Sequence, residues 1–500
     1  MAIIKLKRAR NSLVDVSKLP PEILGDIFRR NVTLEETFGG LERGCYNFLL
    51  VCHHWFEVAS RAPEVWSSWG NNLQDWSKWC LRRPTGPLDL VLDGERWSEW
   101  RTLSNRMRNA LLDRGARDTI RRIHLVSEDS KLLDSIISPL VGRKGIRSSS
   151  LESVVLVDKC KITSVDVSDF FNSHRFPRLQ RLELDHCTIS SWDFITSRTS
   201  TLTTLSLNLS YPSLSPTTLQ LFSILGSNHS LQKLSLLGCA VPDDGGGDGP
   251  SSQTQLHHLR ELALAGNTQH VFALLHRFDY PKNMDHLGIT LHSCIPEDIL
   301  ETAGPYFRDY LQPRGKSRSG LGLYLSSHEK CIKFQVGDVC GIAPPARGPV
   351  RMDNFIEITI ELDQKPPRNV LEKVTHDLIA HVPQKAIIYF RTFGDPVVVT
   401  DASTQLPSLR ALHFENISLR AAFPSTHCIL FPLVQRVTLG HVTSPTGEWN
   451  PLITFLSRRA SSANKLDTLE TDRPHFNCTK PVKRIRKLVR VFRMTNDYGF

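Results

Sequence analysis

Three apolar residues spaced i, i+3 and i+5 recur along most of this chain, and no other feature limits its fold so strongly. The triplets are Ile120-Ile123-Leu125, Leu151-Val154-Leu156, Leu179-Leu182-Leu184, Leu202-Leu205-Leu207, Leu231-Leu234-Leu236, Leu259-Leu262-Leu264 and Met284-Leu287-Ile289. Their first residues follow one another at intervals of 31, 28, 23, 29, 28 and 25 positions. The pattern returns at Leu409-Leu412-Phe414, 25 residues later at Val434-Val437-Leu439, and again as Leu466-Leu469. The last two members of a triplet are two residues apart, the spacing of one face of a strand. Each unit therefore reads as a short strand with apolar side chains turned inward, followed by a turn and a helix or loop packed behind it.

An L-x-x-L-x-L element at this period is that of a leucine-rich repeat. Cys187, Cys239 and Asn267 stand three residues after the last apolar position of their units, and Cys160 stands four after. A small polar side chain at that point of a repeat bonds neighbouring backbone inside the turn. The 11 cysteines are odd in number, scattered and never in C-x-x-C, so reduced thiols in the cytosol or nucleus are expected. Between about 295 and 400 the triplet fails. Strand-like runs persist at Leu321-Leu323-Leu325, Ile356-Ile358-Ile360 and Ile387-Ile388-Tyr389-Phe390. Two readings stay open there: degenerate repeats continuing one solenoid, or a break into two arrays. Residues 240–255 (AVPDDGGGDGPSSQTQ) read as a flexible insertion off the core.

The first hundred residues have a different texture, with seven of the nine tryptophans. A helix is predicted from Leu19-Pro20-Pro21-Glu22, because proline is tolerated at a helix start and Glu22 suits the positive end of the dipole. Ile23, Leu24, Ile27 and Phe28 would share one face. A polar stretch over 31–44 interrupts, and a second helix carries Phe48, Cys52, Trp55, Phe56 and Ala59. Pro63 ends it and opens a short third helix with Val65, Trp66 and Trp69.

The net charge of +10 is localised. Residues 480–493 (KPVKRIRKLVRVFR) hold seven Lys/Arg and no acid, and residues 1–10 hold four more. Removing those 11 from the 61 basic residues leaves 50 against 51 acidic ones, so the body is neutral. A specific nucleic-acid partner is not implied for it. In the C-terminal segment Val482, Ile485, Val489 and Phe492 fall on one helical face. That segment reads either as a cap helix with a solvated basic side or as a contact for nuclear import, an acidic partner or a membrane surface.

Enzyme signatures are missing from the sequence. Gly315-Lys316-Ser317 ends like a phosphate loop, but the glycine required five residues earlier is Tyr310. G-x-S-x-G, H-E-x-x-H and G-x-G-x-x-G do not occur. Cys52-His53-His54 lacks metal-ligand spacing. No catalytic, cofactor or metal site is expected, no run approaches the length of a membrane span, and no targeting segment is expected.

The segment "LPPEIL..IF…LLVCHHWFEVASRAPEVWSSW" resembles the F-box-like proteins of mushroom-forming fungi, on Leu19-Pro20-Pro21-Glu22-Ile23-Leu24, Ile27-Phe28, Leu50-Val51-Cys52-His53-His54-Trp55 and Ala62-Pro63-Glu64-Val65-Trp66-Ser67. The gap between its two halves is longer than in a compact F-box, by roughly Thr33–Gly44. The resemblance implies an α+β chain: a small N-terminal helical F-box-like bundle followed by an α/β leucine-rich-repeat solenoid, an irregular horseshoe. It divides the chain into a basic tail (1–14), the F-box-like domain (15–70), linker helices and a first strand (71–119), the solenoid (120–475) and a basic segment (476–500). It implies a non-catalytic substrate-recognition subunit of a cullin–RING ubiquitin ligase, cytoplasmic or nuclear. Leu19, Pro20, Ile23, Leu24, Ile27, Phe28, Leu50, Val51, Cys52 and Trp55 would form the adaptor-binding surface for Skp, with the cullin scaffold beyond it. An unidentified protein target would lie on the repeats. The alternative is an interaction scaffold in which the helical bundle only caps the solenoid.

Overall fold

The computed structural model describes residues 18–37, 51–62, 68–69, 88–93, 120–141, 150–160, 165–172, 176–192, 195, 201–211, 215–242, 253–281, 284–292, 321–328, 331–339, 352–361, 387–394, 406, 408–415, 419–423, 433–440, 449–461, 465–472 and 479–495. The chain divides into two compact units, Met1–His258 and Leu259–Phe500.

In the first unit, helices α1 (Pro21–Thr37) and α2 (His53–Arg61) precede a parallel sheet. Its strands are β1 (Ser68–Trp69), β2 (Leu88–Asp93), β3 (Ile120–Ser127), β4 (Ser153–Asp158), β5 (Arg181–Asp185), β6 (Thr204–Leu209) and β7 (Lys233–Gly238). Each pairs in parallel with the next in sequence. Helices α3 (Ser130–Val141), α4 (Ser168–Asn172) and α5 (Thr218–Ser227) fill crossovers, and β8 (Thr254–Gln255) follows. Helix α5 starts where Thr217 and Gln220 form a reciprocal capping box, which satisfies two otherwise orphaned amides.

The triplets are the strands. Ile123, Val154, Leu182, Leu205 and Leu234 are mutual register partners, as are Leu125, Leu156, Leu184, Leu207 and Leu236. All ten are at most 1% exposed. Two continuous apolar ladders thus run across the sheet. Phe170, Phe171 and Phe176 are buried and pack on one another, with ring centroids 5.0 to 5.8 Å apart. Asp89 on β2 is buried beside Arg121 and Arg122 of β3. Arg121 grips it with both Nε (3.3 Å) and Nη2 (3.0 Å). The register skips Arg121 at this point, and such a bulge lets two consecutive arginines reach one carboxylate.

The second unit contains β9 (Glu261–Asn267), α6 (Thr268–His276), β10 (Phe278–Asp279), β11 (His286–His292), β12 (Leu321–His328), β13 (Cys331–Val339), β14 (Met352–Glu361) and β15 (Ile387–Gly394). It continues with β16 (Ala411–Glu415), α7 (Leu419–Ala422), β17 (Arg436–Gly440), α8 (Asn450–Ser461), β18 (Leu466–Asp472), α9 (Thr479–Leu488) and β19 (Val489–Thr495). Its sheet runs β9-β11-β14-β13-β12-β15-β16-β17-β18-β19. β13 is antiparallel to both neighbours, and the other pairs are parallel.

These findings correct the expected class. The chain is α/β, with a parallel sheet in the first unit and a large, mostly parallel ten-strand sheet in the second, and not a small helical bundle followed by a leucine-rich-repeat solenoid. The reasons are local. Trp69, expected on a third helix, lies in β1 and pairs with Leu90 of β2, so the N-terminal region contributes a strand to the sheet. The stretch 31–44 does not interrupt α1 at its start, since the helix runs to Thr37. Residues 31–37 (NVTLEET) mix polar residues with Val32 and Leu34 and contain neither glycine nor proline, so nothing in them stops a helix. In the second unit the antiparallel β13 and the β11–β14 pairing break any one-strand-per-repeat order.

Two boundaries also move. The segment 240–255 begins inside the core, with Ala240 and Val241 buried, and its residues 243–252 lie outside the described residues. The basic C-terminal segment is not one helix: α9 ends at Leu488 and β19 pairs in parallel with β18.

The ladders yield a prediction. Leu184→Asp or Leu236→Asp places an unpaired carboxylate between stacked strands. The loss should exceed the roughly 2–5 kcal/mol that truncating a buried leucine to alanine costs. Leu219→Asp, at a position 60% exposed in the first turn of α5, should be near neutral. Urea midpoints of the three variants check this; equal losses at all three sites would contradict the assignment.

Candidate functional site

The N-terminal helix pair is built on a division of neighbouring apolar residues. Pro21 opens α1, and the carbonyl of Pro20 accepts from the amides of Ile23 (3.0 Å) and Leu24 (3.1 Å). Leu24 and Phe28, four apart, are 0% and 1% exposed. Ile23 and Ile27, one position earlier in each turn, are 50% and 44% exposed. A step of one residue turns a side chain by about 100° around the helix, so one apolar run serves both interior and surface.

Helix α2 is locked against this face. Cys52 is its N-cap, and Sγ accepts from the amide of Trp55 at 3.5 Å. The Trp55 ring meets Phe28 at 5.1 Å between centroids, tilted by 53°. Val58 and Ala59 are buried. A Cβ on Gly25 would stand 3.6 Å from the Ala62 Cβ, so α1 and the end of α2 run at contact distance. Val51 (54%) and Phe56 (36%) add exposed apolar surface.

The structure therefore sorts the expected adaptor-binding residues. Ile23, Ile27, Val51 and Pro20 are exposed, Leu19, Cys52 and Trp55 are half-buried, Leu24 and Phe28 are core, and Leu50 lies outside the described residues. Phe56 was not among them. The signal for it was its place one residue after Trp55, off the buried stripe of a short helix. Cys52 serves as a cap and His53 faces Glu57 at 3.5 Å. Among the described residues no group of three or more His, Cys, Asp or Glu could hold a metal.

A second, polar feature runs along the carboxyl ends of β4–β6. Asp158 is fully buried and accepts from the amide of Cys160 at 2.9 Å. Burial pushes its carboxyl above the usual carboxylate range, against the opposing pull of hydrogen bonds from the Cys160 amide and the Ser130 hydroxyl. The Cys187 thiol is pushed up by burial first, then by Asp158 and Asp185. It donates to the carbonyls of Leu156 (3.7 Å) and Asp185 (3.6 Å). That is a structural thiol, not a nucleophile. Cys239 likewise donates to the Ser210 carbonyl, and Asn267 caps α6 by accepting from Gln269 at 3.0 Å.

His186 and Gly238 leave their strands with φ of 55° and 61°. A Cβ on Gly238 would meet the Leu209 oxygen at 2.5 Å, so only glycine fits there. His186 Nδ1 contacts the Ser210 hydroxyl, and its Nε2 lies 3.6 Å from Asp185. Serine, histidine and aspartate are the groups of a nucleophilic triad, but 3.6 Å is too long for a hydrogen bond. Asp185 instead accepts from Asn208 at 2.6 Å. The carboxylate orients the amide, and the row ties strand ends together.

No protein-family model matches the chain, and no curated protein matches it in sequence.

Asp158 makes the polar row sensitive to pH. Its folded-state pKa is raised above the unfolded value near 3.9, so the folded state holds the proton longer. Stability from this group is greatest below the unfolded pKa and falls as pH rises through the folded one. Asp158→Asn should remove that decline. Urea unfolding of both proteins from pH 4 to 8 should show the variant gaining on the wild type as pH rises; a pH-independent difference would contradict it.

Proposed function

We propose that this protein is a non-catalytic recognition subunit: the N-terminal helix pair docks the Skp adaptor of a cullin–RING ubiquitin ligase, and the sheet-bearing part holds a protein target. One observation carries the reading. Ile23 and Ile27 are about half exposed while their neighbours Leu24 and Phe28 are sealed in the core. Isoleucines left in water at two successive turns suit a surface that another protein covers. Val51 and Phe56 widen the patch. The identity of the partner comes from the likeness of residues 19–28 and 50–67 to the F-box. Held in this way, a target is raised to a high effective concentration beside the ubiquitin-transfer machinery, which needs no catalytic group on this chain.

The division between buried and exposed positions makes the reading testable. Ile23→Asp with Ile27→Asp should weaken adaptor binding at least tenfold, about 1.4 kcal/mol, with the melting curve of the wild type. Leu24→Ala should lower the melting temperature, because Leu24 is fully buried and its truncation opens a cavity. Titration calorimetry with purified adaptor measures the first and calorimetric melting the second. If the well-folded full chain shows no adaptor binding at micromolar concentration, the receptor reading is wrong.

A further inference from the structure

We propose that the exposed face of α9 is a sequence-independent contact for the phosphate backbone of duplex nucleic acid. The inference does not rest on the adaptor reading and concerns the other unit of the chain. Helix α9 turns its apolar residues inward: Ile485 is fully buried, and Val482 and Leu488 are half-buried. Lys483, Arg484, Arg486 and Lys487 are exposed.

Two acids of the neighbouring strand β18 are already paired. Arg490 and Arg493 of β19 pair with Asp467 (3.1 Å) and Glu470 (3.5 Å) of β18. Arg486 lies 5.9 Å from the centre of the Phe492 ring. Lys483, Arg484 and Lys487 have no carboxylate partner among the described residues. At i, i+1 and i+4 they share one side of the helix. Outside residues 1–10 and 480–493 the chain holds 50 basic and 51 acidic residues, so these charges stand out on a neutral body.

The chemistry of the face selects among polyanions. A membrane-surface helix needs an apolar side to bury among lipids, and here that side is committed to the protein interior. A stable protein partner needs an apolar centre to the contact, and the exposed side of α9 offers none. Val491 is exposed on β19, but it alternates with Phe492, which meets α9 through Arg486, so it stands on the opposite face of the sheet. Single-stranded nucleic acid is held by base stacking on open aromatic rings, and Phe492 is half-buried beneath Arg486. Duplex phosphates need only closely placed cations.

The test is fluorescence anisotropy with the full-length chain and a labelled 20-base-pair duplex, at several salt concentrations. Binding should weaken steeply with salt and be indifferent to sequence. The variant Lys483→Gln, Arg484→Gln, Lys487→Gln should lose at least tenfold in affinity with an unchanged melting curve. Its log–log salt slope should be shallower by about 0.9 for each phosphate contact removed. The charge-keeping variant Lys483→Arg, Lys487→Arg should bind as the wild type does, which separates lost charge from lost folding. Duplex binding retained by the triple-Gln variant assigns the contact to another basic segment and overturns the proposal. So does tighter binding to poly-glutamate or to vesicles of phosphatidylcholine and phosphatidylserine, or no duplex binding at 50 mM salt.

Discussion

In-register stacking of apolar side chains across parallel strands is the constraint on which the first unit depends. Leu182, Leu205 and Leu234 face one another across successive strands, as do Leu184, Leu207 and Leu236. A slip of one residue would turn both ladders to the opposite face. The polar residues just beyond the strands reinforce the same register. Asn208 reaches Asp185, and Cys187 reaches the carbonyl of Leu156 on the preceding strand. Asp89, held by Arg121 and Arg122, fixes the β2–β3 pair in the same manner. Buried charge is an expensive way to do this unless it is fully paired, and the bulge at Arg121 is what supplies the second guanidinium.

Against that rigid frame the N-terminal helices look unfinished. Phe28 and Trp55 join them, and Cys52 starts the second by capping Trp55. Yet Ile23, Ile27 and Val51 remain in solvent. The proposed receptor role uses that surplus of apolar surface, while the polar strand ends bond to one another, Asn208 to Asp185 and Cys187 to the Leu156 carbonyl.

Much of the strand content was legible in the sequence. The i, i+3, i+5 triplets locate β3–β7, β9, β11 and β16–β18, and the runs at 321, 356 and 387 locate β12, β14 and β15. The expected architecture was wrong because a triplet reports which residues point inward but not which strands become neighbours. Strand β13 carries no triplet, although Ile332, Phe334 and Val336 alternate as a strand should. Only Glu329 and Lys330 separate it from β12, and neither is a turn-forming type. In the basic C-terminal segment, Ile485 and Val489 suit one helical face as well as a helix end followed by a strand. Pairing with β18 decides between them. At the candidate site, sequence placed Ile23, Leu24, Ile27 and Phe28 together on one face. Only the packing against Trp55 and Ala62 shows which two remain outside.

The antiparallel strand β13 has a consequence for how the chain acquires its structure. From β2 to β7 each strand pairs with a residue only 23 to 33 positions further along. These contacts can therefore form in order as a growing chain lengthens. In the second unit His286 pairs with Phe355, and Leu321 with Ile387, separations of 69 and 66 residues. Closing loops of that length carries a larger entropic penalty and delays pairing. During synthesis, β11 must wait with one edge uncovered until β14 arrives. An exposed edge of that kind is where chains misassociate, so the second unit carries its hazard in the interval between the making of β11 and of β14.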